Sequence, residues 1–142
     1  MSLATPGVAA HQSLDPLASR YVDVDSLPWV DLPFKGVQGK ILLMDEKRGV
    51  LTALVRMEAG AEIPFHEHTG IEQTLMLEGS LADAEGECKA GHYVWRPKGN
   101  RHVARSPHGA LMIVMFESPN TYLAGALAGK TMEDLMRSVK IA

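Results

Sequence analysis

Three histidines and one glutamate fall at spacings that suit a metal site. His66 and His68 are separated by one residue, Glu72 follows, and His102 stands further along the chain. Each lies in a glycine-punctuated frame: Gly60, His66, His68, Glu72 and Gly79 in the first, Gly91, Pro97, Gly99 and His102 in the second. Imidazole nitrogens are borderline donors and a carboxylate offsets charge, so the four side chains form a ligand set for a divalent first-row metal. A single interior histidine is more often a hydrogen-bonded core residue. Here nine positions agree together, and with Gly near 7% and Pro near 5% chance agreement is far below about one in a billion per start site. His11, His92 and His108 fall outside the frames and read as solvated or structural.

These donors need strands to bring them together. Side chains at i and i+2 of a strand share a face, so His66 and His68 both point inward if either does. Pro64 suits the start of their strand. After a Thr69-Gly70 turn, Glu72 opens the next strand, with Glu72, Thr74 and Met76 on one face and Gln73, Leu75 and Leu77 on the other. A turn over Pro97–Asn100 starts the strand that carries His102. From Gly39 onward the pattern predicts short strands over Lys40–Met44, Val50–Glu58, Phe65–His68, Glu72–Glu78, Ser80–Asp83, Gly91–Trp95, Arg101–Ala104 and Ala110–Glu117. Such spacing, with Gly, Pro and Asp between, argues an all-β antiparallel sandwich or barrel. Asp45–Gly49 reads as a polar hairpin turn in which Gly49 is able to take a positive φ.

The flanks differ. Residues 1–25 read as a mobile arm, 26–120 as the barrel and 121–142 as a helical tail. Pro28, Trp29, Pro33 and Phe34 mark a packed entry to the barrel. In the tail, apolar residues at 132, 135, 136 and 139 have helical spacing, Thr131 is the expected N-cap, and Glu133 and Asp134 suit the first turn. This helix is read as cover for the barrel edge, with a lid or dimer arm as the functional alternative.

The 142 residues make one domain, and a net charge of −3 without basic blocks gives no sign of nucleic acid. A lone cysteine, Cys88, excludes an intrachain disulfide. No stretch is apolar and long enough for a membrane span and no leader pattern is seen, so a cytoplasmic protein is expected.

At the two frames the chain resembles the cupin superfamily. Gly60 to Gly79 fits the first cupin motif, and Gly91 to His102 fits the second up to its last position, where Ser106 replaces the usual asparagine. Leu27-Pro28-Trp29, Gly36-Val37, Lys40-Ile41-Leu42 and Thr52–Arg56 make it similar to the branch containing the cupin domains of ChrR-type anti-sigma factors. Acetylacetone-cleaving and dihydroxyacetophenone dioxygenases belong to the same branch. The resemblance covers about residues 26–118. It implies a single-domain cupin β-barrel (double-stranded β-helix, jelly roll) with a short C-terminal helix, binding iron or zinc through His66, His68, Glu72 and His102. No Cys/His cluster in residues 1–25 matches the extra zinc-binding domain of the anti-sigma relatives, so that role is not expected. A homodimer is.

Two functions follow. One is a non-haem Fe(II) dioxygenase cleaving a C–C bond in a small β-diketone or hydroxyaryl ketone, with the metal stabilising a chelating enolate. A glutamate ligand would weaken enolate binding by lowering the metal's net charge. Candidate walls are Leu54, Arg56, Met76, Tyr93, Trp95, Val114 and Phe116, as far as parity turns them inward. Arg56, Met76, Tyr93 and Phe116 stand as substrate contacts, with Glu58 as a rival partner for Arg56 and plain core as the rival reading of Trp95 and Phe116. The other function is a non-catalytic Zn(II)-binding module that senses a small molecule or an oxidant. Four protein donors suit a closed zinc site, whereas six-coordinate iron keeps open positions.

Overall fold

A computed structural model describes residues 3–137 of the chain. Its strands are β1 (Leu3–Ala4), β2 (Val30–Asp31), β3 (Val37–Asp45), β4 (Val50–Met57), β5 (Glu62–Glu67), β6 (Glu72–Ala82), β7 (Glu87–Lys89), β8 (Tyr93–Arg96), β9 (Arg101–Arg105), β10 (Ala110–Phe116) and β11 (Thr121–Tyr122). One α-helix, α1 (Met132–Met136), follows them. All the pairings are antiparallel. The result is the all-β, curled-sheet architecture expected, with a short C-terminal helix.

Strand β6 joins the two faces of the curled sheet. Its first part, from Glu72, pairs with β8 and β10, and its last three residues, Ser80–Ala82, pair with β7 and through Ala82 with β9. One face therefore runs β1–β3–β4–β10–β6, and the other runs through β9 and β5 to β11. The strands expected over Glu72–Glu78 and Ser80–Asp83 are one continuous element. The corner is Gly79, which has a φ of +70°. A Cβ there would lie 1.9 Å from the Gly109 carbonyl oxygen, so the close approach of two backbones excludes any side chain.

Alternation sorts each strand into an inner and an outer face. On β4, Leu51, Ala53, Val55 and Met57 are buried while Arg56 is exposed. These side chains meet Phe34, Val37, Ile41, Met76, Leu81, Met112, Val114 and Tyr122 in one core. Each full burial of such a side chain contributes about 1.5–3 kcal/mol, which makes apolar contact the main support of the barrel. Trp29 packs outside it, beneath the Arg56 guanidinium at 4.0 Å and the Lys40 ammonium at 5.0 Å.

The turn at Asp45–Gly49 is as expected. Asp45 Oδ1 accepts from the Lys47 amide at 3.1 Å, and Gly49 has a φ of +72°. Thr131 caps α1, accepting from the Asp134 amide at 3.1 Å while the Asp134 carboxylate accepts from the Thr131 amide at 3.0 Å. Val139, the last residue of the expected helix, lies outside the described residues. Two boundary expectations change. The start of the arm is tied down, because Leu3 and Ala4 pair with Asp45 and Met44 and the Thr5 hydroxyl donates to the Leu42 carbonyl at 2.7 Å. The expected helical tail begins instead as β11, which pairs with β5. No helix among the described residues is long and apolar enough to cross a membrane.

Gly79→Ala should destabilise the fold by roughly 2–4 kcal/mol, combining a positive φ with a steric clash. Gly60→Ala also meets a positive φ, of +86°, but nothing stands within 4 Å of its Cβ. It should cost only about 1 kcal/mol. Urea unfolding of both variants measures the difference, and equal losses would show that the corner is not sterically closed.

Candidate metal centre

Register brings the histidines together. His66 on β5 lies directly opposite His102 on β9, and on its other side opposite Tyr122 on β11. Between Ile63 and His66 the pairing slips, since Ile63 faces Ala104 while His66 faces His102. Three steps along β5 thus match two along β9, a bulge that leaves both Ile63 and His66 on the inner wall. Pro64 sits inside this irregularity, where its missing amide is tolerated. His68 follows at the end of β5, with its amide donating to the Asn100 carbonyl at 2.9 Å.

The three rings have centroids 4.6–5.0 Å apart. One ring nitrogen from each of His66, His68 and His102 lies within 4.8 Å of the other two, and all three residues are buried. Two rings have their tautomers assigned by their partners. His66 Nδ1 donates to the Pro64 carbonyl at 2.7 Å, and His102 Nδ1 donates to Asp83 Oδ2 at 2.9 Å. Because those partners only accept, Nε2 of each ring keeps its lone pair. The Nε2 atoms of His68 and His102 are buried with no hydrogen-bond partner. A divalent cation would satisfy them, so these residues fit a metal.

Glu72 does not belong to this converging group. Its Oε2 stands 2.9 Å from His68 Nδ1. Its other oxygen faces the Thr74 hydroxyl at 3.4 Å and Arg96 Nε at 3.9 Å. Glu72 opens β6, and its side chain lines the same cavity as His66 and His102 while its carboxylate lies against His68.

Behind the rings lies a buried ionic cluster that motif reasoning missed. Arg96 Nη1 donates to Asp83 Oδ2 at 2.8 Å, the same oxygen that anchors His102. Burial alone would raise the Glu72 carboxyl, but its contact with His68 and the charge of Arg96 hold it below the ordinary range. Burial would likewise raise Asp83, and the His102 hydrogen bond, the Glu85 amide and Arg96 hold it low. One cation and two carboxylates leave the cluster one negative charge in excess, which favours a bound cation. Burial keeps His66 neutral, with its pKa lowered to about 4, and burial followed by the charge of Arg96 lowers His102.

His66, Glu72 and His102 line a cavity of about 60 Å³, whose other walls include Ile63, Val114, Phe116 and Tyr122. That is room for about four waters. A wider cleft of about 150 Å³ lies beyond Leu51, Phe116, Met132 and Met136, which line both spaces. Of the expected substrate contacts, Phe116 is at the cavity. Met76 is fully buried in the core and is not a lining residue. Arg56 and Tyr93 face outward: Arg56 donates to Gln38 Oε1 at 2.8 Å, and the Tyr93 hydroxyl donates to Gln73 Oε1 at 2.7 Å. Their strands alternate so that Val55 and Arg96 take the inner positions. Trp95 is 59% exposed and is not core, and Leu54 shares the outer face with Arg56, whereas Val114 lines the cavity. Ser106, standing where asparagine was expected, still supplies a hydrogen bond, to the Ser80 carbonyl at 3.2 Å. His92 and His108 are exposed.

A family model described as ChrR Cupin-like domain matches residues 17–121. No curated protein matches the sequence significantly. Among solved structures, a proposed acetylacetone dioxygenase from Methylibium petroleiphilum PM1 is 21% identical, with TM-score 0.76 over 88% of this chain and 96% of that one. An acetylacetone dioxygenase from Acinetobacter johnsonii is 18% identical, with TM-score 0.73 over 85% and 91%. A chain of the Rhodobacter sphaeroides complex of SigE with the anti-sigma ChrR is 22% identical, with TM-score 0.57 over 66% of this chain and 51% of that one. At these identities the likeness is one of fold.

The metal-free protein should lose stability in acid. His66 titrates at 6.5 when unfolded and at about 4 when folded, so between those values the unfolded chain binds more protons and stability is lost as the pH is lowered. A shift of that size corresponds to about 3 kcal/mol. His102 acts in the same direction, and at still lower pH protonation of Glu72 and Asp83 removes the stability those carboxylates contribute. Urea midpoints measured from neutral pH down to about pH 4 test this, and a flat profile would contradict neutral buried imidazoles.

Proposed function

This chain belongs to the ChrR cupin-like family, and on that footing we propose that it is a non-haem iron(II) dioxygenase cleaving a C–C bond in a small β-diketone or hydroxyaryl ketone. The observation that carries the reading is the convergence of three buried imidazoles, two with unpartnered Nε2 atoms, beside a mostly apolar cavity. Three protein donors leave coordination positions open, where a structural zinc site is closed by four. Iron bound there would act as a Lewis acid toward a chelating enolate.

The chain's own residues do the rest. His66, His68 and His102 would hold the metal, and the Pro64 carbonyl and Asp83 fix two of the rings so that their Nε2 atoms face it. Held by the three imidazoles alone, the metal would keep its charge available to an anionic enolate. Glu72 instead places its charge against His68, partly offset by Arg96. Ile63, Val114 and Phe116 exclude water from the reacting space and limit it to small ligands. Likeness to the acetylacetone dioxygenases supports the reaction class.

A second reading, a non-catalytic zinc-binding module sensing a small molecule or an oxidant, is favoured by the small size of the cavity and by the likeness to the ChrR complex. Bound metal in the purified protein, followed by oxygen uptake with acetylacetone and hydroxyacetophenones, separates the two. Iron with uptake supports the enzyme. Tightly held zinc, with no uptake after iron reconstitution, supports the module.

His102→Ala should abolish stoichiometric metal binding while the barrel stays folded. Asp83→Ala should weaken metal affinity by about 10- to 100-fold, the usual effect of losing the group that orients a ligand. His92→Ala should leave metal content unchanged. Elemental analysis with circular dichroism checks all three, and metal loss in the His92 variant would overturn the ligand assignment.

A further inference from the structure

We propose that the Tyr122 hydroxyl is the hydrogen-bond donor that orients an oxygen-bearing ligand in the metal cavity. The inference rests on reading that cavity as a ligand-binding metal site. Tyr122, His66 and His102 lie side by side in one row across β11, β5 and β9, so the phenol shares a wall with two of the imidazoles. Its ring is clamped, with centroids 5.4 Å from Phe34 and 5.6 Å from His66, and the residue is fully buried. Phenylalanine would fill that space equally well. A buried hydroxyl is unfavourable unless it finds an acceptor, and the acceptor facing this one is the Met132 thioether at 3.7 Å. Thioether sulfur is a weak acceptor on a flexible side chain, so a ligand oxygen would displace it easily. The Thr74 hydroxyl on the same cavity is already turned to Glu72. Asn120 also lines the cavity, and among apolar walls such as Phe34, Ile63, Val114 and Phe116 the clamped phenol is a fixed donor that selects how a two-oxygen ligand enters.

The test uses the full chain loaded with Co(II) and titrated with acetylacetone, followed by the visible cobalt absorption. Tyr122→Phe should keep its metal content and thermal midpoint but bind acetylacetone about five- to tenfold more weakly, the share of one hydrogen bond. Met132→Leu, which removes the present acceptor at similar volume, should bind within twofold of wild type or more tightly. Equal affinity in wild type and Tyr122→Phe would overturn the proposal. So would equal weakening in both variants, which would mean that the hydroxyl serves only to hold α1. Absence of acetylacetone binding in the wild-type cobalt protein would overturn it too. Should the cobalt titrations behave as expected while the iron protein shows no oxygen uptake, the dioxygenase reading fails and the role of Tyr122 stands.

Discussion

The site depends on the desolvation of imidazole nitrogens that the protein itself does not satisfy. A buried polar atom without a partner costs about 1–3 kcal/mol, and the Nε2 atoms of His68 and His102 both meet that description. Apolar burial across β4, β6 and β10 offsets the expense. The bulge in β5 and the Asp83 carboxylate then determine where the lone pairs point, because each holds the opposite nitrogen of a ring. Geometry and energetics thus both suit the site to a cation.

Arg96 sets a cation against the two carboxylates behind the rings. Its charge adds to the contacts with His68 and His102 that hold Glu72 and Asp83 below the ordinary carboxyl range against burial. The cluster as a whole still carries net negative charge. Asp83 divides its work between two oxygens. Oδ1 accepts from the Glu85 and Gly86 amides and closes a turn, while Oδ2 accepts from Arg96 and His102.

That double role explains what could be read from the chain alone. An Asp-Ala-Glu-Gly run signals a turn, which is correct, but nothing local reveals the second oxygen's partners. His66 and His68 were legible because a two-residue period puts both on one face, and His102 because a Pro/Gly turn starts its strand. Parity states which residues share a face and not which face is inside. On β8 the usual rule is reversed: Tyr93 and Trp95 face solvent while Arg96 is buried, so aromatic character misled and the charged residue was overlooked. Arg56 failed for the related reason that its neighbour Val55 takes the inner position. Tyr122 was hidden by the helical reading of the tail, although an aromatic next to a β-branched threonine after Pro119 is a strand signal.

The far wall of the cavity comes from α1, a five-residue helix held by its capping box and by buried Leu135. Met132 and Met136 therefore shape the chamber from a segment that contributes no imidazole and no strand to the barrel. The shape of the chamber and the meeting of the three histidines are thus set by separate stretches of chain, so a substitution in α1 can reshape the space without touching an imidazole.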